Sequence, residues 1–300
     1  MIPQRNNGGI MQIHRAVILY LADTAPLLAL ATRKRHRYTL ESLTRHVGHD
    51  LAIKALTARL VAGWLNTMDV CPSTKRVRLS DIRTFYRWAH NAGYMRVDPT
   101  IGVRIPRPAR SEIREINRAK LVALGLVLPD ARSRVVIALM LNEGLRIGEV
   151  ARLEDGDIDR ARKTIHIVGK GGHERILPIT QDTLGWLTVY INERGRRGSG
   201  PLIAQKRDPH QPMKPGYLGK LVVDWLKAAG IKQAAHDGMS AHAFRHTRAG
   251  TLLDLGADPR IVQEVLGHQS LGTTWTYTRL RGRIKEIRRY MDQALPDEAA

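Results

Sequence analysis

The chain has 300 residues, room for two ordinary domains, and 43% of them are hydrophobic, enough to give each domain a core. Its 48 Lys and Arg against 28 Asp and Glu leave a net charge of +20, which points to a polyanionic partner, nucleic acid first. A single cysteine, Cys71, excludes an intramolecular disulfide framework and a zinc cluster. The longest apolar stretch, Ala16 to Ala31, is broken by Asp23 and Pro26 and cannot span a bilayer. Its unbroken part, Ala16 to Ala22, is followed by no convincing signal cleavage site. The expectation is a cytoplasmic protein that binds nucleic acid and has no membrane partner.

Residues 1–37 give no clear role. A polar, Gly/Asn-rich start leads into a short candidate helix from Met11 to Leu21, and Pro26 limits any continuation of it. The basic run Arg33 to Arg37 reads equally as a solvated loop face or as a phosphate contact. From Tyr38 the signals are helical. Leu51, Ile53, Leu56, Leu60, Val61 and Leu65 recur at helix-like intervals. Pro72-Ser73-Thr74 opens a second helix, which turns Val77, Leu79, Ile82, Phe85 and Trp88 to a core and is stopped near Gly93. Lys75, Arg76, Arg78 and Arg83 on that helix are candidate DNA contacts. Pro99, Pro106 and Pro108 then alternate with Arg104, Arg107 and Arg110, a stiff basic strap in which Arg104 and Arg107 are further candidates. The boundaries expected are a helical DNA-binding domain over 38–105, a linker over 106–113 and a second domain over 114–300.

In the second domain Ser133 to Leu145 is a strongly apolar helix ending in a Gly-containing turn. Thr164 to Ile179 places two β-rich runs around Gly169-Lys170-Gly171-Gly172, a hairpin with Lys170 near its tip. Helical patterns return at Gln181–Arg194, Tyr217–Ala229, Ala241–Leu255 and Asp258–Leu266. The fold class expected is mainly α with one small antiparallel sheet.

Several familiar chemistries are excluded by their own requirements. Gly169-Lys170 is no phosphate-binding P-loop, because Thr164 stands where its first glycine belongs and Gly171 where Ser or Thr belongs. His242 and His246 have the zincin spacing, but Ala243 stands where that motif needs Glu. No hydrolase elbow and no carboxylate cluster for a two-metal nuclease is present, so neither metal nor cofactor is expected. What remains is Leu141-Asn-Glu-Gly-Leu-Arg-Ile-Gly-Glu149, the hairpin Lys170, and Ser240-Ala-His-Ala-Phe-Arg-His-Thr247. Leu266-Gly-His-Gln-Ser270 and Thr273-Thr-Trp-Thr-Tyr-Thr278 come after them. Each piece alone is ordinary in so basic a chain. In this order and spacing they resemble the tyrosine recombinases of the phage integrase family, over the whole second domain and more weakly over 38–110.

The chemistry of these residues suits the resemblance. Two guanidiniums, Arg146 and Arg245, can hold the non-bridging oxygens of a phosphodiester as negative charge grows in the transition state. His242 shares a helical face with Arg245 and could take the nucleophile's proton, and His268 could add a hydrogen bond to the phosphate. Lys170 is placed to protonate the departing 5′ oxygen, and Glu149 to support Arg146 from behind. Tyr277 would be the nucleophile, its phenol of pKa about 10 brought toward phenolate by the surrounding cations. The resemblance implies a core-binding domain and a catalytic domain forming a clamp around DNA, and a 3′-phosphotyrosyl intermediate resolved through a Holliday junction without ATP or metal. It implies double-stranded attachment sites as substrate, a tetramer at synapsis, and a directionality factor as a further partner.

Ile284, Ile287, Met291 and Leu295 form a narrow apolar stripe, which the resemblance suggests docks on a neighbouring protomer. The favoured reading is the integrase of a phage or other mobile element in a bacterial host. The alternative is an Xer-like chromosome or plasmid dimer resolvase, against which stand a poor match between Tyr38 and His49 and the unusual box around Tyr277. The segment before residue 38 is short for an arm-binding domain, so simple core-type sites are expected. A type IB topoisomerase and a catalytically silent DNA-binding regulator would use the same basic surfaces.

Overall fold

A computed structural model describes residues 10–106, 114–169, 172–195, 199–234 and 237–267. The chain divides into two units, Met1–Ser111 and Glu112–Ala300, each built round its own apolar cluster.

The first unit contains α1 (Ile13–Thr24), α2 (Leu30–Val47), α3 (Ala58–Asn66) and α4 (Pro72–Asn91). Ile13 and Tyr20 of α1 are fully buried with Leu40 and Leu43 of α2, Val61 and Trp64 of α3, and Ile82 and Phe85 of α4. The expected edge at residue 38 therefore falls inside α2, and α1 belongs to the same core. The basic run Arg33 to Arg37 is helix rather than loop. It escaped a periodicity reading because the buried stripe of α2 is largely polar: His36, Thr39 and Thr44 beside Leu40 and Leu43. Thr39 and His36 are satisfied around the buried Asp81 of α4, which accepts from Thr39 Oγ1 at 2.8 Å and pairs with Arg35 Nη2 at 2.9 Å and His36 Nε2 at 3.2 Å. The helix expected from Leu51 to Leu65 is two pieces, a 3-10 turn over Ile53–Ala55 and then α3. Thr57 makes the break, since its side chain accepts from the Leu60 N–H and so caps α3. Val77, expected inside, is 43% exposed on α4.

The second unit begins with α5 (Arg118–Val127), α6 (Ala131–Leu141) and the short α7 (Ile147–Val150). A three-stranded antiparallel sheet comes next in the order β1 (Ile158–Asp159), β2 (Thr164–Val168), β3 (Glu174–Pro178). Ile165 pairs with Leu177, and these with Ile167 turn into the core as the period of two requires. The unit ends with α8 (Gln181–Glu193), α9 (Pro215–Ala228), α10 (Ala241–Asp254) and α11 (Pro259–Leu266). Asp130 and Ser133 cap each other's backbone at the start of α6. From Val135 to Met140 every residue of α6 is buried, so this helix forms the middle of the unit. Its burial fixes the turn that leaves it, Asn142 to Arg146. Among the described residues no helix is long and apolar enough to cross a membrane.

Candidate active site

Arg146 emerges from the turn after α6, immediately before α7. Its backbone N–H donates to Glu149 Oε2 at 2.9 Å and its Nη1 to Glu149 Oε1 at 2.8 Å, while Nη2 donates to the Gly267 carbonyl at 3.0 Å. About a third of its side chain, 35%, stays open to solvent. Arg245, on the first turns of α10, is buried and donates to the carbonyls of Gly144 and Leu266, the latter at 2.6 Å. The two guanidiniums therefore converge on consecutive carbonyls, Leu266 and Gly267, at the C-terminal end of α11. A helix C-terminus carries partial negative charge, which offsets some of the repulsion between two cations brought so close.

His242 stands one turn before Arg245 on the same helix, with Ser240 capping the helix through the His242 N–H. The residue is exposed, yet local desolvation, and then the charges of Arg245 and Arg146, lower its pKa. It is therefore neutral near pH 7 and able to accept a proton. His246, deeper in the unit, is also lowered, by burial and then by His242 and Arg245. Among the described residues no cluster of His, Cys, Asp or Glu is placed to hold a metal ion. Lys170, His268, Tyr277 and the apolar stripe from Ile284 to Leu295 lie outside the described residues, as does Arg107.

Arg146 and Arg245, paired by the ordered motifs, thus reach the carbonyls of consecutive residues at the end of α11. Residues 114–283 match the phage integrase family. The chain belongs to that family. It is 30% identical over 275 residues to tyrosine recombinase XerC of Myxococcus xanthus, covering 87% of each chain. Its fold is similar to that of a chain in the crystal structure of a lambda integrase dimer bound to a COC′ core site, with a TM-score of 0.75 at 18% identity over 91% of this chain and 97% of that one. It is also similar to that of a chain in the crystal structure of a lambda integrase tetramer bound to a Holliday junction, with a TM-score of 0.71 at 18% identity over 87% and 78% of the two chains. The protein is thus a tyrosine recombinase, a site-specific DNA recombinase.

Two residues that surround Arg146 in this candidate site carry no signal in the sequence. Glu143 is 2% exposed and accepts from the Thr180 N–H and hydroxyl, both at 2.9 Å, and from Thr183 Oγ1 at 3.0 Å. It pins the turn leading to Arg146 against the N-terminus of α8. Burial raises its pKa to about 7 despite those hydrogen bonds. Arg175 on β3 grips the same two Glu149 oxygens that Arg146 engages, with Nη2 2.9 Å from Oε2 and Nη1 3.3 Å from Oε1. Burial pushes the Glu149 carboxyl up, but the bonds from Arg175 and Arg146 outweigh it and hold the pKa at about 2. One arginine among many cations and one acid after a helix are ordinary, so neither residue stands out along the chain.

The expected DNA contacts of the first unit are placed unequally. Arg76 donates to the carbonyls of Ile105 and Pro106 at 3.0 and 3.3 Å, holding the chain as it leaves the unit. Arg83 Nε donates to Thr100 Oγ1 at 3.2 Å. Arg78 donates to Thr39 Oγ1 at 2.6 Å and stacks 4.5 Å over the Tyr38 ring. Lys75 is half-buried and Arg104 exposed.

Proposed function

We propose that this recombinase cuts and rejoins double-stranded DNA at attachment sites through a 3′-phosphotyrosyl intermediate, as the integrase of a phage or similar mobile element. The convergence of Arg146 and Arg245 on the end of α11 carries the reading. It concentrates forked donors where a phosphate's non-bridging oxygens would sit, in a partly desolvated setting where such donors act strongly.

Tyr277 Oη attacks the scissile phosphorus, the phosphorus–O5′ bond breaks, and the protein becomes joined to the 3′ phosphate. His242, kept neutral by its surroundings, takes the phenolic proton. Lys170 gives a proton to the departing 5′ oxygen, and His268 completes the set of phosphate donors. A 5′-hydroxyl from the partner duplex then attacks the phosphotyrosyl bond, so the tyrosine leaves and a new phosphodiester forms. One phosphoester bond is exchanged for another, so the sequence of steps is balanced without ATP or metal. Strand exchange requires a tetramer clamped on two duplexes through a Holliday junction, with the segment beyond residue 283 docked on a neighbouring protomer and a directionality factor setting the outcome. The reaction would take place in the cytoplasm of the bacterial host.

A second reading, chromosome or plasmid dimer resolution, is favoured by the likeness to XerC over 87% of both chains. The mismatch read from Tyr38 to His49 does not weigh against it, because α2 fills that stretch to Val47.

The deciding experiment uses a duplex from the DNA flanking the gene, nicked beside the scissile phosphate so that cleavage cannot reverse. A covalent protein–DNA band on a denaturing gel, lost in Tyr277→Phe, is expected. Specific binding with no adduct would sink the catalytic reading. Joining of two flanking sites placed on separate plasmids is the integrase outcome. Accumulation of chromosome dimers on deleting the gene is the resolvase outcome.

A further inference from the structure

Arg175 stands outside the residues assigned to the phosphate and the nucleophile, yet all three of its guanidinium nitrogens are engaged. Nη2 and Nη1 meet the two oxygens of Glu149, and Nε donates to the Val265 carbonyl in the last turn of α11 at 3.3 Å. Its side chain is 11% exposed and that of Glu149 only 1%. A two-pronged contact of this kind fixes the plane of a carboxylate as well as its charge. The same two oxygens of Glu149 hold Arg146, one through Nη1 and one through the backbone N–H. The third corner is as tight: a Cβ on Gly267, whose carbonyl receives Arg146 Nη2, would stand 2.8 Å from Arg175 Nη1.

We propose that Arg175 is a positioning residue for strand cleavage. By gripping Glu149 and the Val265 carbonyl together, it locks β3, the Arg146 turn and the end of α11 into one geometry, so that the Arg146 guanidinium meets the scissile phosphate already aimed. Arg175 acts through Glu149 and not on the phosphate. β3 is also the return strand of the hairpin whose connection contains Lys170, so the same grip ties that hairpin to the arginine pair. A lysine could supply the charge but only one point of contact, so the fork is the essential feature. The inference rests on the reading of Arg146 as a phosphate-binding residue.

The test uses the full chain and a nicked duplex carrying the site that the wild-type chain selects from random-sequence DNA. Single-turnover cleavage and duplex affinity are measured for Arg175→Gln, Arg175→Lys, Glu149→Gln, the Glu149→Gln/Arg175→Gln double variant and Arg146→Ala. Arg175→Gln is expected to slow cleavage on the order of a hundredfold, the scale of a misplaced catalytic group, while affinity changes only a few-fold. Its rate should also rise with pH more steeply than that of the wild type, because burial pushes the Glu149 carboxyl up once the bonds from Arg175 are gone, a change that a merely structural lesion would not create. Arg175→Lys should remove that steeper rise without restoring the full rate, and it serves as the test if the Gln variant does not fold. The double variant should be no slower than Glu149→Gln alone. Wild-type cleavage and pH profile in both Arg175 variants, with Arg146→Ala inactive, would overturn the proposal, as would slowdowns that multiply in the double variant. Normal cleavage by Arg146→Ala would instead remove the reading of the site on which it stands.

Discussion

Glu143 and Glu149, six residues apart on either side of Arg146, are both buried carboxylates, and their partners send them in opposite directions. Glu149 faces two guanidiniums and stays ionised. Glu143 has hydroxyl and amide donors in contact and only the more distant influence of Arg248, so burial prevails and its pKa rises from the ordinary 4.5 to about 7. A carboxyl raised in the folded state binds its proton there over a window in which the unfolded chain has lost it. Its contribution to stability is therefore present at low pH and is lost as pH climbs from 4.5 through about 7. The full shift corresponds to at most about 3 kcal/mol. Glu143→Gln cannot titrate and keeps one oxygen for Thr180. Between pH 5 and 8 the stability gap should move in favour of the variant by up to that amount, read as melting temperatures of the two proteins without DNA. Parallel melting curves across that range would show that Glu143 is ionised throughout.

At the scale of elements, the decisive feature is the end of α11. Leu266 and Gly267 offer their carbonyls to the two arginines because the helix terminates there, with Gly267 in the left-handed region at φ 58°. An alanine at 267 would meet two costs, the left-handed backbone at roughly 1–2 kcal/mol and displacement of Arg175. Gly256 has a similar backbone, φ 86°, but open space around it, so Gly256→Ala carries the first cost alone. Gly267→Ala should lose more stability than Gly256→Ala and should also lose cleavage, which Gly256→Ala should keep. Equal effects would mean that the contact with Arg175 is unimportant. Elements with strong local chemistry were legible from sequence: the Gly-rich hairpin, α4 with its proline start, and α9 to α11. α5 was not, because its apolar residues form no stripe: only Leu124 is buried, while Val122 and Leu126 face outward. The polar interior of α2 hid that helix in the same way. In the site, the chain order of Arg146, His242 and Arg245 could be read, but their common seat on α11 is a tertiary contact that no local pattern encodes. The grip of Arg175 on Glu149 spans 26 positions and is of the same kind.

For the whole molecule the dominant quantity is the net charge of +20. Much of the cationic surface is not equally available to a polyanion. Arg76 and Arg83 spend donors on the chain itself, Arg175 is committed to Glu149, and Arg35 to Asp81. Charge acts at a distance even so, but the release of condensed counterions depends on cations that reach phosphates. The side chains of Lys75 and the exposed Arg104 have no hydrogen bond or ion pair to the described residues, so their charges are not already spent within the first unit. Each phosphate neutralised contributes about −0.9 to the slope of log affinity against log salt. Removing both cations, as Lys75→Gln with Arg104→Gln, should therefore make the slope shallower by roughly 1.8 for a duplex of arbitrary sequence, measured by anisotropy between roughly 50 and 200 mM salt. Arg76→Gln should change the slope by less than half of one contact and instead loosen the segment at Ile105 and Pro106. A slope that moves by a full contact for Arg76→Gln and not at all for the double variant would reverse the assignment. The phosphate contacts would then come from the arginines that hold the fold, with Lys75 and Arg104 serving only to attract the DNA.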